Sequence, residues 1–332
     1  MTVDDYSALL PLLNLIADGE VHSGVDLARR LGVSRAAVCK RVKKLADLEL
    51  RVTAMRARGY QLARPLEFLA PARIIEALPA NLPKPFPTIE VLPTVGSTNS
   101  ELLQRARSGQ AAPGFILLAE QQTAGRGRRG RPWVSPFGRN LYLSALWRLE
   151  SGLPALEGLS LVVGVVVAET LRSGFGIAAG LKWPNDIVVN GRKIGGILIE
   201  LDGDLAGPLS VVIGIGINID MTDAATQGID QAWTDVRSET GTSVSRNDLS
   251  AQVIAGLAQA LERFSVTGFK GFRQQWCRLD AFHGLPVNVS GPGSSSLTGI
   301  ARGVDETGAL LLETGEAVQS VSAGDVTLRS GR

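Results

Sequence analysis

Apolar residues fall in runs of changing rhythm along the chain, and each change marks an element. Residues 6–16 are apolar almost throughout and predict a first helix. Residues 25–31 predict a short second helix, with Ser23 available as its cap. After the tight turn Gly32-Val33, Ser34 caps a third helix running to about residue 48. On it Val38, Val42 and Leu45 recur at helical spacing and should face inward. Residues 51–55 and 59–62 then alternate as two short strands joined at Arg56-Ala57-Arg58. Two helices about a glycine turn, followed by a hairpin, make a winged helix-turn-helix, assigned to residues 1–64.

Residues 65–87 carry six prolines and read as a connector, extended except for a short helix over 72–78. Beyond them the pattern is mixed α/β. Strands are expected at 89–92, 115–119, 141–147, 181–189 (broken by Pro184), 193–200 and 211–218. A turn at 95–99 leads into a helix over 100–107, and residues 156–171 predict an apolar helix against the sheet. Asn190-Gly191 is a strong hairpin signal. Gly195-Gly196 and Gly214-Ile215-Gly216 lie inside strands, where glycine marks a bulge or the close approach of a ligand. Helices over 248–264 and 269–279 close this central domain, taken as 88–284. From 285 to 332, short strands at 287–289, 297–303, 310–312 and 326–328, with turns at 291–296 and 305–308, predict a small β-barrel. The fold class is α+β with three domains.

Charge changes the picture locally rather than globally. The 332-residue chain carries a formal charge of only +2, yet residues 21–60 hold ten Lys/Arg against Asp26, Asp47 and Glu49. The remainder is therefore net acidic. A basic lobe on an acidic body is the footprint of phosphate-backbone binding. Candidate DNA contacts are Ser34, Arg35, Lys40, Lys43, Lys44, Arg56 and Arg58. The plain alternative is a small helical or partner-binding module with solvated lysines. Cys39 and Cys277 are far apart and, with only His22 and His283 beside them, suggest neither a disulfide framework nor a Cys/His zinc site. No basic leader opens the sequence, and the longest apolar run, 159–168, is far short of a membrane span, so a cytoplasmic location without membrane contact is expected.

The densest chemical signal is Gly125-Arg126-Gly127-Arg128-Arg129-Gly130, followed by Arg131-Pro132-Trp133. Glycines let the backbone approach a ligand, and arginines supply forked donors for phosphate or carboxylate. The letters satisfy the dinucleotide fingerprint G-x-G-x-x-G. That motif requires a helix directly afterwards, however, and Pro132 and Pro136 prevent one. An anion-closing loop remains, against the plain alternative of a solvated basic loop. Ser97, Thr98 and Asn99 likewise read either as helix caps or as polar groups presented to a ligand.

Five segments, Ser97-Thr98-Asn99, 120–130, Lys182-Trp183-Pro184-Asn185-Asp186, 193–200 and Gly214-Ile215-Gly216-Ile217-Asn218, resemble in order and spacing those of biotin protein ligases. With the basic N-terminal module, the chain is similar over essentially its full length to the bifunctional class that joins biotin operon repressor and biotin–[acetyl-CoA-carboxylase] ligase. The resemblance implies an SH3-like C-terminal barrel and a reaction in two steps. Biotin and ATP give biotinyl-5′-AMP and pyrophosphate, and a lysine of the biotin carboxyl carrier protein then takes the biotin and releases AMP. It also implies roles for individual residues. Arg126 and Arg128 close over the adenylate, Lys193 neutralises carboxylate and phosphate oxygens, and Asp186 helps hold Mg²⁺, with Asn218 assisting. Ser97, Thr98, Asn99 and Gln122 bond the biotin head, together with Arg126, Gly127, Arg128 and Lys193. Gly195, Gly196, Gly214 and Gly216 form the floor. Arg126, Arg128, Arg129, Trp133, Asn185, Lys193 and Asn218 are the nucleotide-binding set, and residues 221–233 lie where relatives order a second loop around adenine. The adenylate-bound form is expected to pair as a homodimer through sheet edges, to which the 214–218 strand contributes, and to bind an inverted-repeat operator. Two other readings stay open: a biotin sensor that has lost catalysis, and a lipoate or octanoate ligase on a related scaffold. Keeping both Lys193 and Asp186 speaks against the first, and the Gly/Arg loop with a DNA-binding module against the second.

Overall fold

A computed structural model of the chain describes residues 3–56, 58–82, 87–149, 156–203, 209–221, 229–290, 297–322 and 327–330. Expectations for Ala57, Pro83 and Pro85, for residues 222–228, for the turn at 291–296 and for Val326 lie outside them. The N-terminal unit runs α1 (Val3–Ile16), β1 (Val21–His22), α2 (Gly24–Leu31), α3 (Arg35–Lys44), β2 (Val52–Met55) and β3 (Gly59–Leu62). Ser23 and Ser34 accept hydrogen bonds from Val25 N and Ala37 N as N-caps, and Gly32 takes the left-handed conformation that the turn requires. The third helix stops sooner than its pattern suggests. Its last turn, Leu45–Leu48, tightens to a 3₁₀ helix that buries Leu45 and Leu48. Strand β1 was not visible in the sequence, being only two residues long, and pairs with β3 to make the hairpin three-stranded.

The connector is not a spacer. Leu66 packs into the N-terminal core, while Leu69, Ile74, Leu78 and Leu82 are buried in the central core about α4 (Pro71–Glu76). Its apolar residues recur at helical and near-helical steps, and proline placed at the first turn of a helix does not oppose it.

The central sheet comprises β4 (Thr88–Leu92), β5 (Phe115–Ala119), β6 (Leu141–Leu149), β7 (Gly180–Lys182), β8 (Asp186–Val189), β9 (Arg192–Gly203) and β10 (Leu209–Ile217). The spatial order is β4-β5-β6-β10-β9-β8-β7, and only β4 and β5 are parallel. The expected strand 181–189 is in fact a hairpin: β7 and β8 run antiparallel, Lys182 opposite Asp186, with a cis Trp183–Pro184 bond in the turn. Asn190 and Gly191 both have positive φ in the next turn, as a type I′ hairpin demands. Strand β10 is central, flanked along its whole length by β6 and β9. It therefore has no free edge, and the expectation that 214–218 contributes to edge pairing fails for that reason. Besides the edge strands β4 and β7, β9 is left open on one side where its pairing with β8 ends at Gly196.

On one sheet face lies α5 (Thr98–Arg107), whose Leu102 and Leu103 pack on Leu117, Leu146 and Val212. The other face is covered by α6 (Leu159–Phe175), α7 (Val236–Thr240), α8 (Arg246–Thr267) and α9 (Arg273–Leu279), which share the main core. The valine-rich α6 is buried nearly all round, so burial outweighs the modest helix propensity of its β-branched run. C-terminal strands β11 (Pro286–Ser290), β12 (Leu297–Val304), β13 (Leu310–Thr314), β14 (Ala317–Val321) and β15 (Thr327–Ser330) form a five-stranded sheet in the order β14-β13-β12-β11-β15. Largely exposed, β14 had no buried alternation to reveal it. Among the described residues, no helix is long and apolar enough to cross a membrane.

Candidate active site

A cleft of about 560 Å³ opens over the α5 face of the sheet. Strand alternation decides which glycines floor it. A Cβ at Gly214 would meet the Asn99 amide at 2.4 Å, and one at Gly216 would meet the Trp133 indole at 2.7 Å. Gly196 also faces the indole, whereas a Cβ at Gly195 would point toward Ile187 in the core. Gly195 is thus absent from the cleft lining, because neighbouring strand residues face opposite ways.

At one end of the cleft, Ser97 stands at the N-cap position of α5 without a side-chain capping bond, so its hydroxyl is not consumed by the helix. Thr98 donates from its backbone N and its hydroxyl to Gln122 Oε1, at 2.9 and 3.1 Å. Buried Ser144, on β6, lies 2.7 Å from the Thr98 hydroxyl and 2.6 Å from Asn99 Oδ1. The only sequence sign of Ser144 was a polar residue at an inward position of an apolar strand. Gln122 continues through its amide to Ser135 (3.3 Å), whose hydroxyl donates to Trp133 O at 3.0 Å.

The Gly/Arg loop folds back on itself. Trp133 N donates to Gly125 O at 2.9 Å and Gly127 N to Arg131 O at 2.7 Å, with Arg129 at positive φ between them. A Cβ at Gly125 would sit 2.8 Å from Ser135 and from Trp133 O, so only glycine fits there. Arg126 pairs with Glu200 at 2.8 Å, and Arg128 reaches toward Asn185 Oδ1 at 3.5 Å. Trp133 spans the floor, with the Lys193 ammonium 5.4 Å from its ring centroid. Its indole N–H is buried without an acceptor, a cost that a ligand oxygen would remove.

Lys193 Nζ is 2.6 Å from Asp186 Oδ1, each side chain only slightly exposed. The lysine backbone is pinned on both sides by Ala232 O and Thr234 N. Asp186 and Asp230 are the carboxylates of a cleft lined mostly by cations, and no group of three or more His, Cys, Asp or Glu suited to a metal occurs among the described residues. That donor set does not suit a resident, all-protein metal site. It fits an ion that arrives on phosphate oxygens and keeps water, as Mg²⁺ prefers. Asn218 takes no place in the lining. Its amide turns inward and donates to Thr234 O at 3.1 Å, where it holds the segment after β10 against the one before α7.

Ser97, Thr98, Asn99, Gln122, Arg126, Gly127, Arg128, Arg129, Trp133, Asn185, Asp186, Lys193, Gly196, Gly214 and Gly216 thus line one cleft, although they come from five separated segments. Lys182 and Phe282 line it too, the ammonium 5.8 Å from the ring centroid, and neither was given a role from sequence. Lys182 opens the Lys182-Trp183-Pro184-Asn185-Asp186 segment, whereas Phe282, in the turn three residues after α9, carried no signal of its own. In the N-terminal unit Ser34, Arg35, Lys40, Lys43, Lys44, Arg56 and Arg58 are all exposed, on α3, at its cap and on the hairpin.

Residues 91–218 match the biotin/lipoate A/B protein ligase family, 282–329 the biotin protein ligase C-terminal domain, and 10–61 an HTH domain. The chain is 42% identical over 326 residues to the bifunctional ligase/repressor BirA of Salmonella typhimurium, covering 98% of this chain and 99% of that protein. It is 41% identical to the bifunctional ligase/repressor BirA of Escherichia coli, covering 98% of each. Among solved structures, it is similar to the biotin protein ligase from Aquifex aeolicus in complex with biotin and ATP. There the TM-score is 0.65 and the identity 30%, over 74% of this chain and 100% of that one. The chain belongs to the biotin protein ligases, in the bifunctional ligase/repressor group.

Proposed function

We propose that the cleft binds biotin and ATP, forms biotinyl-5′-AMP, and hands the biotin to a lysine of the biotin carboxyl carrier protein of acetyl-CoA carboxylase. The Lys193–Asp186 pair on the glycine floor is the observation that carries this reading. Joining a carboxylate to an α-phosphate brings two anions together, so a cation must stand between them. Lysine suits the task because a point charge can follow negative charge from one oxygen to another. Before substrates bind, Asp186 keeps that ammonium in place. With substrates bound, Asp186 is the residue to hold Mg²⁺, which supplies charge neutralisation on the phosphates. Lys193 then turns to the reacting oxygens. The carboxylate oxygen of biotin forms the new bond to the α-phosphorus as the bond to pyrophosphate breaks. In the second step the carrier amine attacks the acyl carbon, AMP leaves, and the proton passes to solvent or phosphate.

Ser97, Thr98, Asn99 and Gln122 are assigned to the biotin head, and Arg126, Arg128 and Arg129 to the adenylate oxygens, with Trp133 and Asn185 beside them. Closing the loop over the mixed anhydride protects it from water. The exposed basic α3 and hairpin are assigned to operator DNA of inverted-repeat form, bound by an adenylate-loaded homodimer. Residues 198–203 of β9, which have a strand partner on one side only among the described residues, support pairing through a sheet edge. The domain division proposed is 1–64, 65–87, 88–284 and 285–332.

Intact-mass analysis of a biotin carboxyl carrier domain incubated with the protein, biotin and Mg-ATP tests the reading. A gain of one biotin is expected. Biotin bound without transfer would replace the enzyme by a sensor, and modification with lipoate instead of biotin would move the chain to the other ligase class.

A further inference from the structure

Glu200 is the third residue in the cleft-facing alternation Gly196, Leu198, Glu200 of β9. A carboxylate at a largely covered strand position is costly unless both its oxygens are engaged. Here both are. Oε1 pairs with Arg126 on the Gly/Arg loop at 2.8 Å, and Oε2 accepts from Asn99 Nδ2 at 2.9 Å. The second contact decides more than stability. With its amide donating to Glu200 and to Leu198 O, Asn99 must turn Oδ1 toward Ser144. Ser144 in turn touches Thr98, and Thr98 is held by Gln122. Through Ser135 that chain of contacts returns to Trp133. A continuous polar circuit therefore leaves the loop at Arg126, passes under the biotin end of the cleft and rejoins the loop at Trp133. Glu200 is the member that joins loop to floor.

We infer that Glu200 is a positioning residue for biotin: it fixes the Asn99 amide and seats Arg126, so that the biotin end of the cleft and the loop are set together. This rests on the functional reading above. Glutamine at this position keeps one acceptor for two donors, and alanine keeps none. Losing such bonds raises KM for biotin roughly three- to tenfold in Glu200→Gln and further in Glu200→Ala. At saturating biotin, the loss in kcat for pyrophosphate release is smaller than the rise in KM for biotin, since Glu200 reaches the adenylate oxygens only through Arg126. Arg126→Gln weakens biotin in the wild-type background and adds little in Glu200→Ala, because its partner is already gone.

Pyrophosphate release should be followed against biotin concentration for these variants and the double variant, with melting temperatures alongside. A role confined to folding would lower melting temperature and total activity together, leave KM for biotin unchanged, and overturn the inference. So would equal effects of Arg126→Gln in both backgrounds. Wild-type protein that releases no pyrophosphate with biotin and Mg-ATP would instead overturn the functional reading, and this inference with it.

Discussion

Tyr6 and Phe137 meet ring to ring, 5.7 Å between centroids, although one lies on the first helix and the other follows the Gly/Arg loop. Phe137 is fully buried in the N-terminal core, and Phe68 of the connector meets it edge-on at 6.5 Å. The DNA-binding module thus completes its core with a residue of the ligase domain. Phe137→Ala should cost about 3–5 kcal/mol. Urea unfolding will show this as early loss of the N-terminal module, and operator binding will fall although no basic side chain has changed. Deleting residues 1–64 uncovers Phe137 and should leave a ligase that aggregates, which light scattering will report.

A second tie lies between Arg64 and Asp220. Asp220 sits 2.7 Å from Arg64 and 2.9 Å from Arg139, and Arg139 also donates to the backbone oxygens of Arg64 and Pro65. Burial holds the Arg139 guanidinium below its ordinary pKa range, and Asp220 offsets that effect. Asp220→Asn should therefore cost about 3 kcal/mol, by leaving buried positive charge uncompensated. Arg64→Gln, on the exposed side, should cost under about 1 kcal/mol. Thermal melts of the two single variants and the double will check both figures and their coupling.

Lys193→Ala should reduce adenylate formation by about 10²- to 10³-fold, the scale for removing one preorganised charge from a transition state. Pyrophosphate release measures it, and circular dichroism should show an unchanged fold. Wild-type rates in this variant would rule Lys193 out of the chemistry.

The floor gives a steric prediction. Gly216→Ala places a methyl group where the Trp133 indole lies, 2.7 Å from its nearest atoms. The tryptophan must move, so biotin affinity should fall about tenfold or more while stability changes by about 1–3 kcal/mol, as for overpacking. Titration calorimetry with biotin distinguishes this from general unfolding.

Asp280 gives a pH prediction. Burial raises its carboxyl above the usual range, against the lowering effects of the Phe282 N–H and His283, and one of its oxygens is buried without a partner. A carboxyl raised in the folded state is tolerated best when protonated. Its penalty is absent below the unfolded pKa and grows as pH rises through the folded one. Asp280→Asn should therefore melt higher than wild type at neutral pH, and the gap should close on acidification. A gap independent of pH would mean that the effect is not protonation.

The sequence made legible what depends on local pattern: caps, strand alternation, the Asn190-Gly191 turn, and motifs whose residues converge in one cleft. It concealed what depends on partners far along the chain. Gly195 and Gly196 look alike as letters, and only the sheet decides that one faces the core and the other the cleft. Asn218 belongs to a motif yet turns its amide inward, because Thr234 is there to receive it. The connector's prolines suggested extension, while its leucines are the residues that matter. Ser144 and Phe137 gave almost no sign, since the elements they join are defined only by the fold.

The buried pair Arg246–Glu120, at 2.7 Å, bears on how the protein is made. Around it, Ser245, Arg246 and Asn247 at the start of α8 hold Glu67, Phe68 and Ala70, with Ser245 reaching Glu67 across 178 residues of sequence. At about 5–20 residues per second, a ribosome needs roughly 10–40 s to travel that distance. Phe137 emerges first, Asp220 later and α8 last. A nascent chain therefore passes through a stage in which its DNA-binding module is synthesised but not yet clasped to the ligase domain. Only on release of α8 from the exit tunnel does the connector gain the last of these ties.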